Sequence, residues 1–166
     1  LEDRGNPSHG LLRPIKVLRG FDRPEVAAIA PGDRYAYVSD AGSGRLVVID
    51  LSRRRIVHRV FVGPKAHHLD VSPDGRRLWV SLGETATTIV RLDTSDPRVP
   101  RVVGRIRPRV TAHGIEFSPS GTTVGIGCGK VRQVVPPSPL HPSGVHTLPS
   151  APAAIGNPPG PAICCQ

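Results

Sequence analysis

Apolar residues in this chain come in short runs separated by glycine, proline, aspartate and serine, and the runs recur in the same order. The stretch Val26-Ala27-Ala28-Ile29-Ala30-Pro31-Gly32-Asp33-Arg34-Tyr35-Ala36-Tyr37-Val38-Ser39 aligns with His68-Leu69-Asp70-Val71-Ser72-Pro73-Asp74-Gly75-Arg76-Arg77-Leu78-Trp79-Val80-Ser81. A third copy opens with Gly114-Ile115-Glu116-Phe117-Ser118-Pro119-Ser120-Gly121. Each copy predicts a strand, a tight corner and a second strand: 68–72, 72–75 and 78–82 in the second copy, with 35–39 matching the second strand in the first. At the corner, Pro73 presets φ, Asp74 suits the next position and Gly75 takes the left-handed conformation that closes a three-residue hairpin. Pro119 and Gly121 keep that chemistry. Pro31 is followed by Gly32 and then Asp33 where glycine is expected, and Asp enters the left-handed region more readily than most residues.

A third strand follows at 46–50 and 88–93, and a fourth at 56–62 and 102–107. Near-continuous β-branched runs in the inner strands give way to runs mixed with Arg and His in the outer ones, the gradient expected when inner strands are covered on both faces and the outermost is wet. The corner prolines Pro31 and Pro73 lie 42 positions apart, and Pro73 and Pro119 lie 46 apart, matching the roughly 40 to 50 residues of a four-stranded propeller blade. No segment has helical periodicity. The predicted fold class is therefore all-β: an incomplete β-propeller of about two and a half four-stranded blades over 15–129, preceded by a disordered segment 1–14. Residues 15–20 are expected to be the outer strand of an earlier blade.

Past Gly129 the repeat is expected to stop. Pro136-Pro137, Pro139, Pro142, Pro149, Pro152, Pro158-Pro159 and Pro161 crowd the remainder, and proline supplies no ladder donor. Residues 130–166 are read as a Pro-rich disordered tail. Loss of the pattern inside a hairpin favours a shifted reading frame over a native linker, which would start at a domain boundary.

Composition refines this reading. Only 38% of residues are hydrophobic and 4% aromatic, so the core must rest on Val, Ile, Leu and Ala, as suits thin β layers. The formal charge of +9 raises the question of nucleic acid, but the arginines are dispersed. The one dense run, Arg53-Arg54-Arg55, falls between two predicted strands as a solvated turn, so nucleic acid is not expected as a partner. Only Lys16, Lys65 and Lys130 are lysines among 22 basic residues, a bias that fits a G+C-rich coding sequence and further discounts the charge. No run of about 18 apolar residues predicts a transmembrane segment. Cys128, Cys164 and Cys165 make neither a disulfide framework nor a zinc-ligand spacing. The chain has no methionine and begins at Leu1, which leads us to expect an excised part of a longer protein whose remaining blades are its natural partners.

Tyr37-Val38-Ser39-Asp40 followed by Gly44-Arg45-Leu46-Val47-Val48-Ile49-Asp50-Leu51 resembles the YVTN-type β-propeller repeat, and the stretch 69–81 is similar to that family's Pro-Asp-Gly-Lys turn and following strand. Ser-Asp and Ser-Leu stand here where Thr-Asn is usual. The resemblance implies a bacterial ring of seven blades, exported and attached to the cell envelope. Relatives of this kind include surface proteins, lactone-hydrolysing enzymes and the propeller parts of copper or haem enzymes.

For chemistry, His67 and His113 align at the start of the innermost strand of successive copies. That strand lines the axial channel of a propeller, where converging imidazoles suit copper or zinc. Glu25 takes the place in the first copy, and a histidine hydrogen-bonded to backbone is the preferred reading. His68 is expected to point the opposite way, because neighbours alternate across a strand. Asp50 and Asp93 end matching strands and read as turn formers. Tyr37 and Trp79 align and are expected to pack between blades. Ser39 and Ser81 lack the glycines of a nucleophile elbow. No catalytic residue and no cofactor is predicted. Pro31, Pro73, Asp74, Gly75, Pro119 and Gly121 are assigned to structure. The expected function is a non-catalytic binding or scaffold segment for a protein or small ligand, the alternative being part of a lactone-hydrolysing or metal-dependent enzyme with its active residues largely in other blades.

Overall fold

The computed structural model describes residues 14–83, 86–109, 111–128, 131–135 and 146–148. Among the described residues, twelve strands build three sheets, each a meander in chain order. The first holds β1 (Pro24–Ile29), β2 (Tyr35–Asp40), β3 (Arg45–Asp50) and β4 (Arg55–Phe61). The second holds β5 (Ala66–Val71), β6 (Arg77–Leu82), β7 (Ile89–Asp93) and β8 (Arg101–Ile106). The third holds β9 (Gly114–Phe117), β10 (Val124–Cys128), β11 (Val131–Val135) and β12 (His146–Leu148). All neighbouring strands are antiparallel. The first strands of the sheets touch in succession, with β5 between β1 and β9. This is an all-β, partial propeller, and among the described residues no helix is long and apolar enough to cross a membrane.

The corners repeat bond for bond. Asp33, Gly75 and Gly121 all have positive φ, at 55°, 71° and 67°. Their amides donate to the carbonyls of Ala30, Ser72 and Ser118, while the amides of those three residues donate across the hairpin to Tyr35, Arg77 and Thr123. Ser72 strengthens its corner, its hydroxyl bonding the Asp74 carboxylate and accepting from the Arg77 amide. The corners also stack: a Cβ added to Gly75 would lie 3.5 Å from Pro31, and one added to Gly121 would lie 3.4 Å from Pro73. Pro31 and Pro73 thus rest on the turn glycines of the blades that follow them.

Alternation along β6 explains how one strand serves two seams. Leu78 and Val80 face the first sheet and join Tyr37, Leu46 and Val48 in one core. Trp79 faces the third sheet and joins Ile115, Phe117, Val124 and Ile126 in another. Its ring meets Phe117 edge-on at 5.7 Å, a geometry the aromatic quadrupole favours. Tyr37 is wholly buried and donates its hydroxyl to the Pro97 carbonyl in the β7–β8 connection of the second blade; burial pushes its pKa up to about 12. Polar stitches cross the same seams. The Asp70 carboxylate accepts the Phe117 amide at 2.7 Å, and Arg77 donates to the Gly121 carbonyl. Arg59 and Arg105, equivalent in the outer strands, donate to the equivalent carbonyls of Gly20 and Val62 on the chain leading into each blade.

Two expectations about element limits are corrected. The third blade does not stop at Gly129: Val131–Val135 pairs with β10, and His146–Leu148 pairs with β11. Val131-Arg132-Gln133-Val134-Val135 is rich in β-branched residues and ends where the first proline, Pro136, begins, so the proline density limits the strand without preventing it. Residues 15–20 form no strand and pair with no strand among the described residues. The remaining expectations for 1–13, 136–145 and 149–166 lie outside the described residues.

Candidate functional site

The first strands of the first two blades begin with a kink. In β1 the register shifts between Pro24 and Ala27, and in β5 it shifts between Ala66 and Leu69. Such a bulge leaves residues unpaired and re-aims their side chains. A buried serine on the neighbouring strand braces it. The Ser39 hydroxyl accepts the Val26 amide at 3.1 Å and lies 3.3 Å from the Val26 carbonyl. The equivalent Ser81 hydroxyl is shared between the carbonyls of His68, at 3.4 Å, and His113, at 3.5 Å. Both serines thus brace backbone next to the candidate residues.

The bulge overturns the expectation that His68 points away from His67. Simple alternation fails where the register slips, and His67, His68 and His113 gather at one place. Their ring centroids are separated by 5.1 Å for His67 and His68, 5.1 Å for His67 and His113, and 4.5 Å for His68 and His113. One nitrogen from each ring lies within 4.8 Å of the others, and all three residues are half-buried. Glu25, the counterpart of His67 one blade earlier, reaches the same place, with its Oε2 4.0 Å from His67 Nε2. Arg23 holds the other carboxylate oxygen at 3.0 Å. Burial, then the neighbouring rings of His113 and His67, holds the His68 pKa below the usual imidazole range. Three imidazoles and a carboxylate in this arrangement can bind a cation or pass a proton.

The other singled-out residues serve the scaffold. Pro31, Pro73, Asp74, Gly75, Pro119 and Gly121 build the corners. Asp50 accepts from the Ser52 hydroxyl and the Arg53 amide, and Asp93 accepts from the Ser95 amide, as turn formers do. Arg53 and Arg54 sit in the β3–β4 turn and Arg55 opens β4; Arg54 takes a positive φ and Arg53 pairs with Asp50. Asp70 was missed as a cross-blade stitch: its equivalents, Ala28 and Glu116, carry no aspartate and gave no repeat signal.

Stacked meanders with corners in register define the class as a β-propeller segment carrying a histidine-rich mouth on its inner strands. No known protein family matches the chain, and no curated protein matches it by sequence. Solved structures do. Hydrazine synthase of Kuenenia stuttgartiensis is similar at 26% identity and a TM-score of 0.57, over 67% of this chain and 32% of that one. A candidate 6-phosphogluconolactonase from Bacteroides fragilis superposes at a TM-score of 0.63 and 14% identity, over 75% of this chain and 37% of that one. The WD40 repeats of RRP9 reach a TM-score of 0.66 at 15% identity, over 81% of this chain and 41% of that one. The chain therefore spans between about a third and two fifths of the length of these structures.

Proposed function

We propose that this chain contributes adjoining blades to a larger, non-catalytic propeller that binds a protein or small ligand at the end of the ring where the inner strands begin. The observation that carries this reading is how the reactive-looking side chains are used. Ser39, Ser81, Asp50, Asp70 and Asp93 each bond backbone of the repeat, which rigidifies a surface without preparing a nucleophile. WD40 propellers among the similar structures favour the same reading. A place in a YVTN-type ring at a bacterial cell envelope follows from the sequence resemblance alone and is part of the proposal.

A second reading is favoured by the histidines: part of a lactone-hydrolysing or metal-dependent enzyme. Two measurements on the full chain separate the two. Ligand-observed NMR with a fragment library is expected to find compounds whose binding is lost on His67→Ala and His113→Ala. Incubation with 6-phosphogluconolactone and simple aliphatic lactones is expected to give hydrolysis no faster than buffer. Turnover that disappears with those same substitutions would overturn the scaffold reading in favour of the enzyme.

A further inference from the structure

We infer that His67, His68 and His113 form a binding site for one divalent late first-row metal ion of the zinc or copper class, with Glu25 supporting it through His67. The three residues come from two blades, and their nitrogens already lie within 4.8 Å of one another. A tetrahedral ion bound to imidazole at about 2.05 Å needs nitrogens about 3.3 Å apart. Closing that difference takes rotation about two soft side-chain torsions per histidine, not movement of a strand. Imidazole is the ligand type that zinc, copper and nickel share, whereas calcium and magnesium require oxygen.

The surroundings prepare the site in three further ways. The bulge at 66–69 brings adjacent residues His67 and His68 to one side, an arrangement that a regular strand forbids. The Ser81 hydroxyl lies between the carbonyls of His68 and His113, sharing its one proton between the two ligand-bearing backbones. Glu25 faces His67 Nε2 at 4.0 Å, close enough to complete the ligand set or to orient the ring. A carboxylate behind a ligating imidazole raises its basicity and selects its tautomer. The inference does not depend on the scaffold reading, because a structural ion between two blades serves a binding propeller as well as an enzyme.

The test uses the untagged full chain carrying Cys128→Ser, Cys164→Ser and Cys165→Ser, so that thiolates cannot contribute. Titration with Co(II), followed by visible d–d absorption and displacement by Zn(II), is expected to show about one ion per chain without a sulfur charge-transfer band. Glu25→Gln is expected to weaken binding by about 10- to 100-fold, and His67→Ala or His113→Ala to weaken it further. Far-UV circular dichroism of each variant separates lost ligands from lost fold. Cu(II) electron paramagnetic resonance supplies a second readout through its nitrogen hyperfine pattern. Co(II) binding that survives removal of all three histidines, for example through His141 and His146, would overturn the assignment. So would a folded chain that takes up none of Co(II), Zn(II) and Cu(II).

Discussion

Each blade's innermost strand has two ends, and they follow different rules. At the corner, geometry is fixed while residues vary within one conformational class: Asp33, Gly75 and Gly121 share a positive φ and the same pair of backbone bonds. At the opposite end geometry recurs as well, with a bulge in β1 and β5 braced by Ser39 and Ser81. There, however, the side chains change from Glu25-Val26 to His67-His68 to His113-Gly114. The corner end is under conformational constraint, so its residues follow from the turn. The other end is constrained only in its backbone, which leaves its side chains available for chemistry. A repeat protein can in this way hold one shape while writing a different functional group into each copy.

If seams and corners maintain the shape, the largest loss comes from emptying a seam. Trp79 is 2% exposed and packs against Phe117. Trp79→Ala is expected to cost about 3–5 kcal/mol, measured by urea denaturation followed by far-UV circular dichroism. His67→Ala, at the other end, is expected to shift the urea midpoint far less. Equal losses from the two substitutions would break the distinction between shape-holding and chemistry-bearing positions. Ile29 shows the same physics from the other side. Its equivalent in the third blade, Phe117, is buried against Trp79, whereas Ile29 on the outward face of the first sheet is 58% exposed.

The corners sharpen the comparison at lower cost. Gly75→Ala places a Cβ at φ 71°, which is expected to destabilise the chain by about 1 kcal/mol. Asp33→Gly places the preferred residue in the equivalent position and is expected to change the urea midpoint little in either direction. Similar destabilisation by both would mean that the corners are not conformational equivalents.

These contrasts also explain what was legible in the sequence. Corners and seams repeat because the same steric problem recurs every blade, so Pro31, Pro73 and Pro119 announce them, and the Tyr37–Trp79 alignment identifies the interblade face. His67 and His113 were legible for the same reason, as matching positions. His68 was not, because alternation is a rule for regular strands and the bulge that suspends it has no residue signature here. The strand at Val131–Val135 was hidden by the prolines that follow it. Asp70 could not be found by repetition, since its bond to the Phe117 amide belongs to one seam only.

The smallest expected effect concerns the turns after β3 and β7, where the two copies differ in burial. The Ser52 hydroxyl and the Arg53 amide hold the Asp50 carboxyl below the usual carboxylate range, and its side chain is 1% exposed. The Ser95 amide does the same for Asp93, which is exposed. A carboxyl whose pKa is depressed by folding stabilises the native state above its unfolded value of about 3.9. That contribution disappears as the pH falls through the depressed folded value, because the proton then binds both states. Asp50→Asn removes the titrating group, so the variant is expected to be less stable than the parent at neutral pH and to lose less stability on acidification. Asp93→Asn is expected to show the same pattern with a smaller amplitude, since water competes for its bonds. Urea midpoints measured from neutral pH down to about pH 2.5 would read both effects. Parallel curves for the parent and Asp50→Asn would show that the turn aspartate contributes shape through its hydrogen-bonding pattern alone and not through its charge.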